Sequence, residues 1–129
     1  MRQSRSRTGS LARGIGLLGE CWAKAYLEGR GYRILEAGFR CCLGEIDLVA
    51  EEGGELVFIE VKTRQDTSFG YPEEQISFVK KRRLGRLAQW YFKYRIRKER
   101  PARFDVVSLL MTKEGRVREV DLIQNAFSL

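Results

Sequence analysis

The sequence predicts an α/β domain: a mixed β-sheet flanked by helices, in the order αβββαββ. Three observations carry this. Apolar residues recur at helical spacing near the N-terminus, and two alternating runs meet at a Gly-Gly dipeptide. A strongly basic helical segment then precedes two further strand-like runs.

Residues 1–9 are polar and rich in Arg and Ser without periodicity, which predicts a disordered basic segment ahead of a single domain over 10–129. The first helix is expected over Ser10 to Gly29. Leu11, Ile15, Leu18, Trp22 and Tyr26 form its apolar stripe, and the glycines around Arg30 stop it. A short strand is expected at Tyr32 to Glu36.

GEIDLVAEE and ELVFIEVKTR follow as strands joined by Gly53-Gly54, a dipeptide suited to a two-residue hairpin turn. That turn sets Glu52 opposite Glu55, hence Asp47 opposite Glu60 and Glu45 opposite Lys62. After a loop punctuated by Gly70 and Pro72, a basic helix is expected from Glu73 to Arg97 with Leu84, Leu87, Ala88 and Tyr91 inward. RFDVVSLLM and RVREVDLIQNAF close the chain as strands.

Composition narrows the chemistry. The 129 residues suffice for one domain with a core, and 43% hydrophobic with 32% charged residues is ordinary for a globular protein. No apolar run reaches the length of a membrane helix, and no signal-peptide pattern follows the basic start, so a cytoplasmic protein is expected. The three cysteines include the neighbours Cys41 and Cys42 and read as reduced thiols. The absence of histidine removes Ser-His and Cys-His nucleophilic schemes and disfavours a structural zinc site. Catalysis would have to rest on carboxylates, lysine, water and a metal.

Charge is unevenly placed within the net +7. Residues 1–13 carry +4, residues 80–103 carry +10 and the remainder −7. A basic segment beside an acidic one suggests a polyanion-binding surface next to a carboxylate-lined site, against the plainer reading of a solvated helix face.

Within the hairpin, facing residues lie roughly 4.5–5.5 Å apart at Cβ and share a side of the sheet. Asp47 opposite Glu60 is repulsive unless something offsets it, and a divalent cation is the natural offset. Mg²⁺ takes oxygen ligands and typically one or two protein carboxylates. Lys62, two residues from Glu60 on the same face, would hold a phosphate or orient an attacking water. Glu20 sits among Gly16, Leu17, Ala23 and Leu27, a mostly apolar surface. A carboxylate there either lies at a boundary or turns toward a partner charge or metal.

These residues resemble the PD-(D/E)XK nuclease superfamily, an acid followed at a distance by Glu/Asp-x-Lys on adjacent strands. More closely, the chain resembles the bacterial YraN-like family. The matching stretches are G-x-x-GE and A-x-x-YL at 16–27, GY-x-IL at 31–35, GEIDLVA at 44–50, VFIEVKTR at 57–64 and FGYP at 69–72. Lys80, RFDVV at 103–107 and AF at 126–127 complete them.

The resemblance implies a restriction-endonuclease-like core related to archaeal Holliday-junction resolvases. It makes Glu20 the helical acid, Asp47 the metal-binding aspartate, and Glu60 and Lys62 the E-x-K pair. Two departures stand out. Ala37-Gly38 replaces a common Arg-Asn, and Gln75 lacks the tyrosine four residues on that related nucleases carry, leaving it a site candidate on the glutamine alone.

The leading expectation is an Mg²⁺- or Mn²⁺-dependent endonuclease on DNA, with branched DNA among the candidate substrates. Asp47, Glu60 and Glu20 would be its metal ligands and Lys62 its catalytic lysine. Arg82, Arg83, Arg86, Lys93 and Arg97 would grip phosphates, joined by Lys80 and Arg64. A non-catalytic nucleic-acid-binding protein on the same fold is the alternative. A homodimer is a third expectation, since Trp90, Tyr91, Phe92 and Tyr94 cannot all face one core.

Overall fold

The computed structural model describes residues 7–65, 77–96 and 100–127. Its elements are α1 (Arg7–Gly29), β1 (Arg33–Cys41), β2 (Gly44–Glu52), β3 (Glu55–Arg64), α2 (Phe78–Tyr91), β4 (Ala102–Met111) and β5 (Val117–Phe127). The five strands lie in chain order in one sheet. Only the β3–β4 pair is parallel, with α2 in the crossover between them, so the sheet is mixed as expected.

Local chemistry fixes the corners. α1 ends in paired bonds, Gly31 N to Glu28 O and Tyr32 N to Leu27 O, with Gly31 at φ +94°. This is the Schellman arrangement that glycine permits. Gly53 and Gly54 both take positive φ (+59° and +83°), which the two-residue hairpin turn requires. Gly38 in β1 sits at φ +69°, a conformation asparagine also tolerates. The Ala37-Gly38 departure therefore keeps the backbone requirement at its second position.

α2 begins at Ser77, whose Oγ accepts the Lys80 N–H (3.1 Å), and its last residues run on as a π-helical turn over Phe92–Ile96. The sequence predicts an earlier start at Glu73, in a stretch outside the described residues. β1 extends five residues beyond the Glu36 limit expected.

Each face of the sheet has its own core. On one, Leu84, Leu87, Ala88 and Tyr91 of α2 pack on Phe39, Ile46, Phe58, Phe104 and Val106. Tyr91 meets Phe39 and Phe58 edge-on at 5.0 and 5.7 Å. Trp90 and Phe92 pack half-buried against this core, and Tyr94 rests on Trp90, so ordinary packing accounts for most of the aromatic cluster. On the other face, Ala23 and Leu27 of α1 pack on Leu48, Val57, Ile59 and Val107.

The α1 stripe differs from the one expected. Leu18 is 53% exposed and Trp22 36%, while Ala23 and Leu27 are fully buried; Leu11 and Ile15 lie outside the described side chains. Small size decides the rotation. A Cβ on Gly19 would lie 2.2 Å from Thr63 Oγ1, so only glycine lets α1 approach β3 this closely. The line Gly19–Ala23–Leu27 therefore faces the sheet.

A second polar anchor sits under the β4 start. Asp105, fully buried, accepts from Tyr32 Oη (2.7 Å), Arg103 Nε (3.0 Å) and Asn125 N (2.9 Å). Arg103 also reaches Glu52 and Glu55 at the hairpin end. No helix among the described residues is long and apolar enough to cross a membrane. The three cysteines are free thiols.

Candidate metal centre and nucleic-acid face

The β2–β3 ladder runs from Glu52–Glu55 to Leu48–Ile59, the register the Gly-Gly turn predicts. Just beyond it the Val61 N–H donates to Asp47 Oδ2 at 2.8 Å, so a carboxylate stands where the ladder would continue. The rotation of α1 about Gly19 carries Glu20 to the same place. Glu20, Glu45 and Asp47 each present a carboxylate oxygen, all within 4.8 Å of one another. Glu20 and Asp47 line an open groove of about 460 Å³ together with Gly16, Glu60, Lys62 and Thr63.

This concentration of negative charge is held at a cost that shows in the protonation equilibria. Burial raises the Asp47 pKa from 3.8 to about 7, helped by the charges of Glu60, Glu20 and Glu45 and opposed by the Val61 bond. Glu20 is also raised, by burial and then by Glu45, with a hydrogen bond to Asp47 partly offsetting this. Burial lowers the Lys62 pKa, and the neighbouring Lys80 charge lowers it further. Three hard oxygen donors with no nitrogen or sulfur among them suit Mg²⁺ or Mn²⁺, and a bound cation would relieve the repulsion.

Two of the pairings expected from the hairpin are rearranged. Glu45 makes its ion pair with Arg40 across β1 (3.2 Å) and not with Lys62. Glu60 does stand in the groove with Asp47, but its Oε2 is taken by Lys80 and lies 3.7 Å from Lys62 Nζ. Lys80, expected on the phosphate-gripping face, thus bonds a groove acid instead. The reason is position: the first turn of α2 lies over Glu60, a buried acid that needs a counter-charge.

Of the other basic candidates, Arg82, Arg83, Arg86 and Lys93 are exposed on α2 and the turn after it, and Arg64 is half-buried at the end of β3. The Arg83 stem comes within 3.3 Å of the position a Cβ on Gly44 would occupy, so it crosses the start of β2 beside Glu45. Gln75 and Arg97 lie outside the described residues. The basic run is not all available to a polyanion, because Arg95 bonds Glu36, Arg100 bonds Glu51 and Arg103 bonds Asp105.

Sequence reasoning sets Glu45 on the same side of the hairpin as Asp47 but does not count it among the metal ligands, and it misses Gly19 as the residue that sets Glu20. The Glu45 signal was present, since residues 45 and 47 alternate onto one side of a strand.

A profile of the uncharacterised protein family UPF0102 matches residues 19–109. That span holds all of the groove acids and most of the sheet. A UPF0102 protein of Moorella thermoacetica is 48% identical over 112 residues, covering 87% of this chain and 93% of its own. Its counterpart in Caldicellulosiruptor saccharolyticus is 44% identical, covering 89% and 98%. One from Symbiobacterium thermophilum is 45% identical, covering 91% and 98%. With these full-length likenesses, the chain belongs to the UPF0102 family, the YraN-like proteins that its motifs resemble.

Proposed function

We propose that this protein is a metal-dependent DNA endonuclease with a restriction-endonuclease-like core, hydrolysing phosphodiester bonds with branched DNA among its substrates. The observation that carries the reading is the convergence of Glu20, Glu45 and Asp47 within 4.8 Å beside Glu60 and Lys62. A partly buried acid cluster with pKa values pushed upward is costly to keep without a cation, and such sites are where chemistry concentrates.

Asp47, Glu20 and Glu60 are the proposed ligands, with Glu45 added by the geometry. Mg²⁺ or Mn²⁺ bound there would polarise a phosphoryl oxygen and lower the pKa of a bound water. Lys62, held at the groove by β3, would fix that water or neutralise charge developing on the phosphate. Its lowered pKa leaves a larger share of it as free amine, able to take a proton, than in an exposed lysine. Arg82, Arg83, Arg86 and Lys93 would hold flanking phosphates and set the register of the strand to be cut.

Cleavage of end-labelled duplex and four-way-junction DNA with Mg²⁺ or Mn²⁺ tests this reading. The wild type should nick or cut with either metal, and Glu60→Ala should be inactive. If wild type and Glu60→Ala are equally inert with both metals, the enzyme reading fails. DNA binding that persists in both would then leave a non-catalytic binding protein built on the α2 face. A homodimer matched to the two-fold symmetry of a junction is part of the same proposal, and light scattering measures it.

A further inference from the structure

We propose that Lys80 is a displaceable counter-cation for Glu60: its ammonium holds the carboxylate until a DNA phosphate draws it away, coupling DNA binding to cation binding. This rests on the metal-dependent reading above and adds to it a mechanism by which the site binds its cation more tightly when substrate is present.

The starting point is Glu60, 8% exposed on β3, where an unpaired carboxylate would be strongly unfavourable. Its Oε2 meets two ammonium groups. Lys62 approaches to 3.7 Å from two residues along the same strand, and Lys80 donates a direct hydrogen bond from α2. The two lysines differ in what fixes them. Lys62 is tied to the sheet through the parallel β3–β4 ladder, in which it pairs with Ser108. Lys80 occupies the first turn of a separate helix, its backbone held by Ser77 while its four-carbon side chain stays about a third exposed. Lys62 therefore stays beside Glu60 on its own strand, whereas Lys80 reaches the carboxylate from a helix and has the more exposed side chain, 32% against 25%.

An ammonium on Oε2 and a divalent cation on the same carboxylate repel each other, so metal entry at Glu60 is opposed while Lys80 stays. A phosphate offers Lys80 an alternative anion. The exposed Arg83 lies three residues further along α2, one turn from Lys80 on the same side of the helix, so a phosphate held by Arg83 comes within the neighbourhood of Lys80. Linkage then requires reciprocity: the factor by which DNA tightens cation binding equals the factor by which the cation tightens DNA binding.

The test is the Mn²⁺ affinity of the full chain, read from the free-Mn²⁺ electron paramagnetic resonance signal. It compares wild type, Lys80→Met and Lys81→Met, each with and without a saturating short DNA duplex. Lys81→Met removes the same charge one residue away, where Lys81 lies over the Phe127 ring. Circular dichroism checks that each variant is folded. Without DNA, Lys80→Met should bind Mn²⁺ about tenfold more tightly than wild type, and Lys81→Met should stay within about twofold. With DNA the gap between wild type and Lys80→Met should close.

No gap without DNA, a gap that survives DNA, or an equal gap in Lys81→Met overturns the counter-cation role while leaving the metal site standing. Mn²⁺ binding by none of the three proteins overturns the metal reading itself, and this inference with it.

Discussion

Replacing Asp47 with asparagine should make the metal-free protein more stable at neutral pH, although it alters a central acid of the groove. The asparagine would keep an oxygen to accept the Val61 N–H now donated at 2.8 Å, and its amide can donate to Glu20 as a protonated carboxyl would. The magnitude follows from the shift. A rise from 3.8 to about 7 would correspond to a ceiling of about 4 kcal/mol, at 1.36 kcal/mol per pKa step.

The amide also loses hydration there, so a gain of about 1–3 kcal/mol is expected. The pH dependence has a definite sign. Because the folded pKa lies above the unfolded one, Asp47 costs nothing below about pH 4, costs progressively more up to about pH 7 and its full amount above. Urea unfolding of both proteins in chelator at about pH 4.5 and about pH 8 reads this, since acid-sensitive groups elsewhere cancel in the difference. Asp47→Asn should exceed wild type at the higher pH, with the gain shrinking at the lower. A variant no more stable than wild type at about pH 8, or one with the same gain at both values, would refute the buried-repulsion account.

Gly19→Ala should destabilise by about 1–3 kcal/mol in urea, because its Cβ meets Thr63 Oγ1 at 2.2 Å. It should also weaken Mn²⁺ binding by displacing Glu20; unchanged stability would show that α1 does not seat on this contact. Asp105→Ala should cost about 3–5 kcal/mol by leaving Arg103 without the carboxylate that its Nε donates to. A loss under about 1 kcal/mol would mean that Glu52 and Glu55 satisfy Arg103 alone. Arg82→Ala and Arg86→Ala should each lower the slope of log affinity for DNA against log salt by about 1 without changing sequence preference. An unaltered slope would remove that residue from the phosphate-binding face.

The hairpin was the most legible part of the chain, because Gly53-Gly54 needs two positive φ angles in succession and so fixes the pairing from Glu52–Glu55 as far as Leu48–Ile59. The α2 stripe was equally readable, since Leu84, Leu87, Ala88 and Tyr91 pack at helical spacing and burial there follows hydrophobicity. The α1 stripe misled for the opposite reason. Its contact with the sheet is set by a missing side chain at Gly19, which a hydrophobicity pattern scores as neutral, so Leu18 and Trp22 took the weight that belongs to Ala23 and Leu27.

For the site, Asp47, Glu60 and Lys62 could be placed together from register alone. The partners of Glu60 and Glu45 could not, because Lys80 and Arg40 arrive from elements whose packing no local spacing encodes. The same holds for the Tyr32–Arg103–Asp105 network, whose members are more than seventy positions apart at its widest reach.

The cation site itself is open to one direct measurement. Crystals grown at about pH 8, above the raised pKa of Asp47, can be soaked in saturating Mn²⁺ and examined by anomalous diffraction. A single strong peak should appear within about 2.0–2.4 Å of carboxylate oxygens from Asp47 and at least one of Glu20, Glu45 and Glu60, with Lys80 swung away wherever Glu60 is a ligand. A groove without a peak at saturating Mn²⁺, its acids unmoved, would contradict the metal reading.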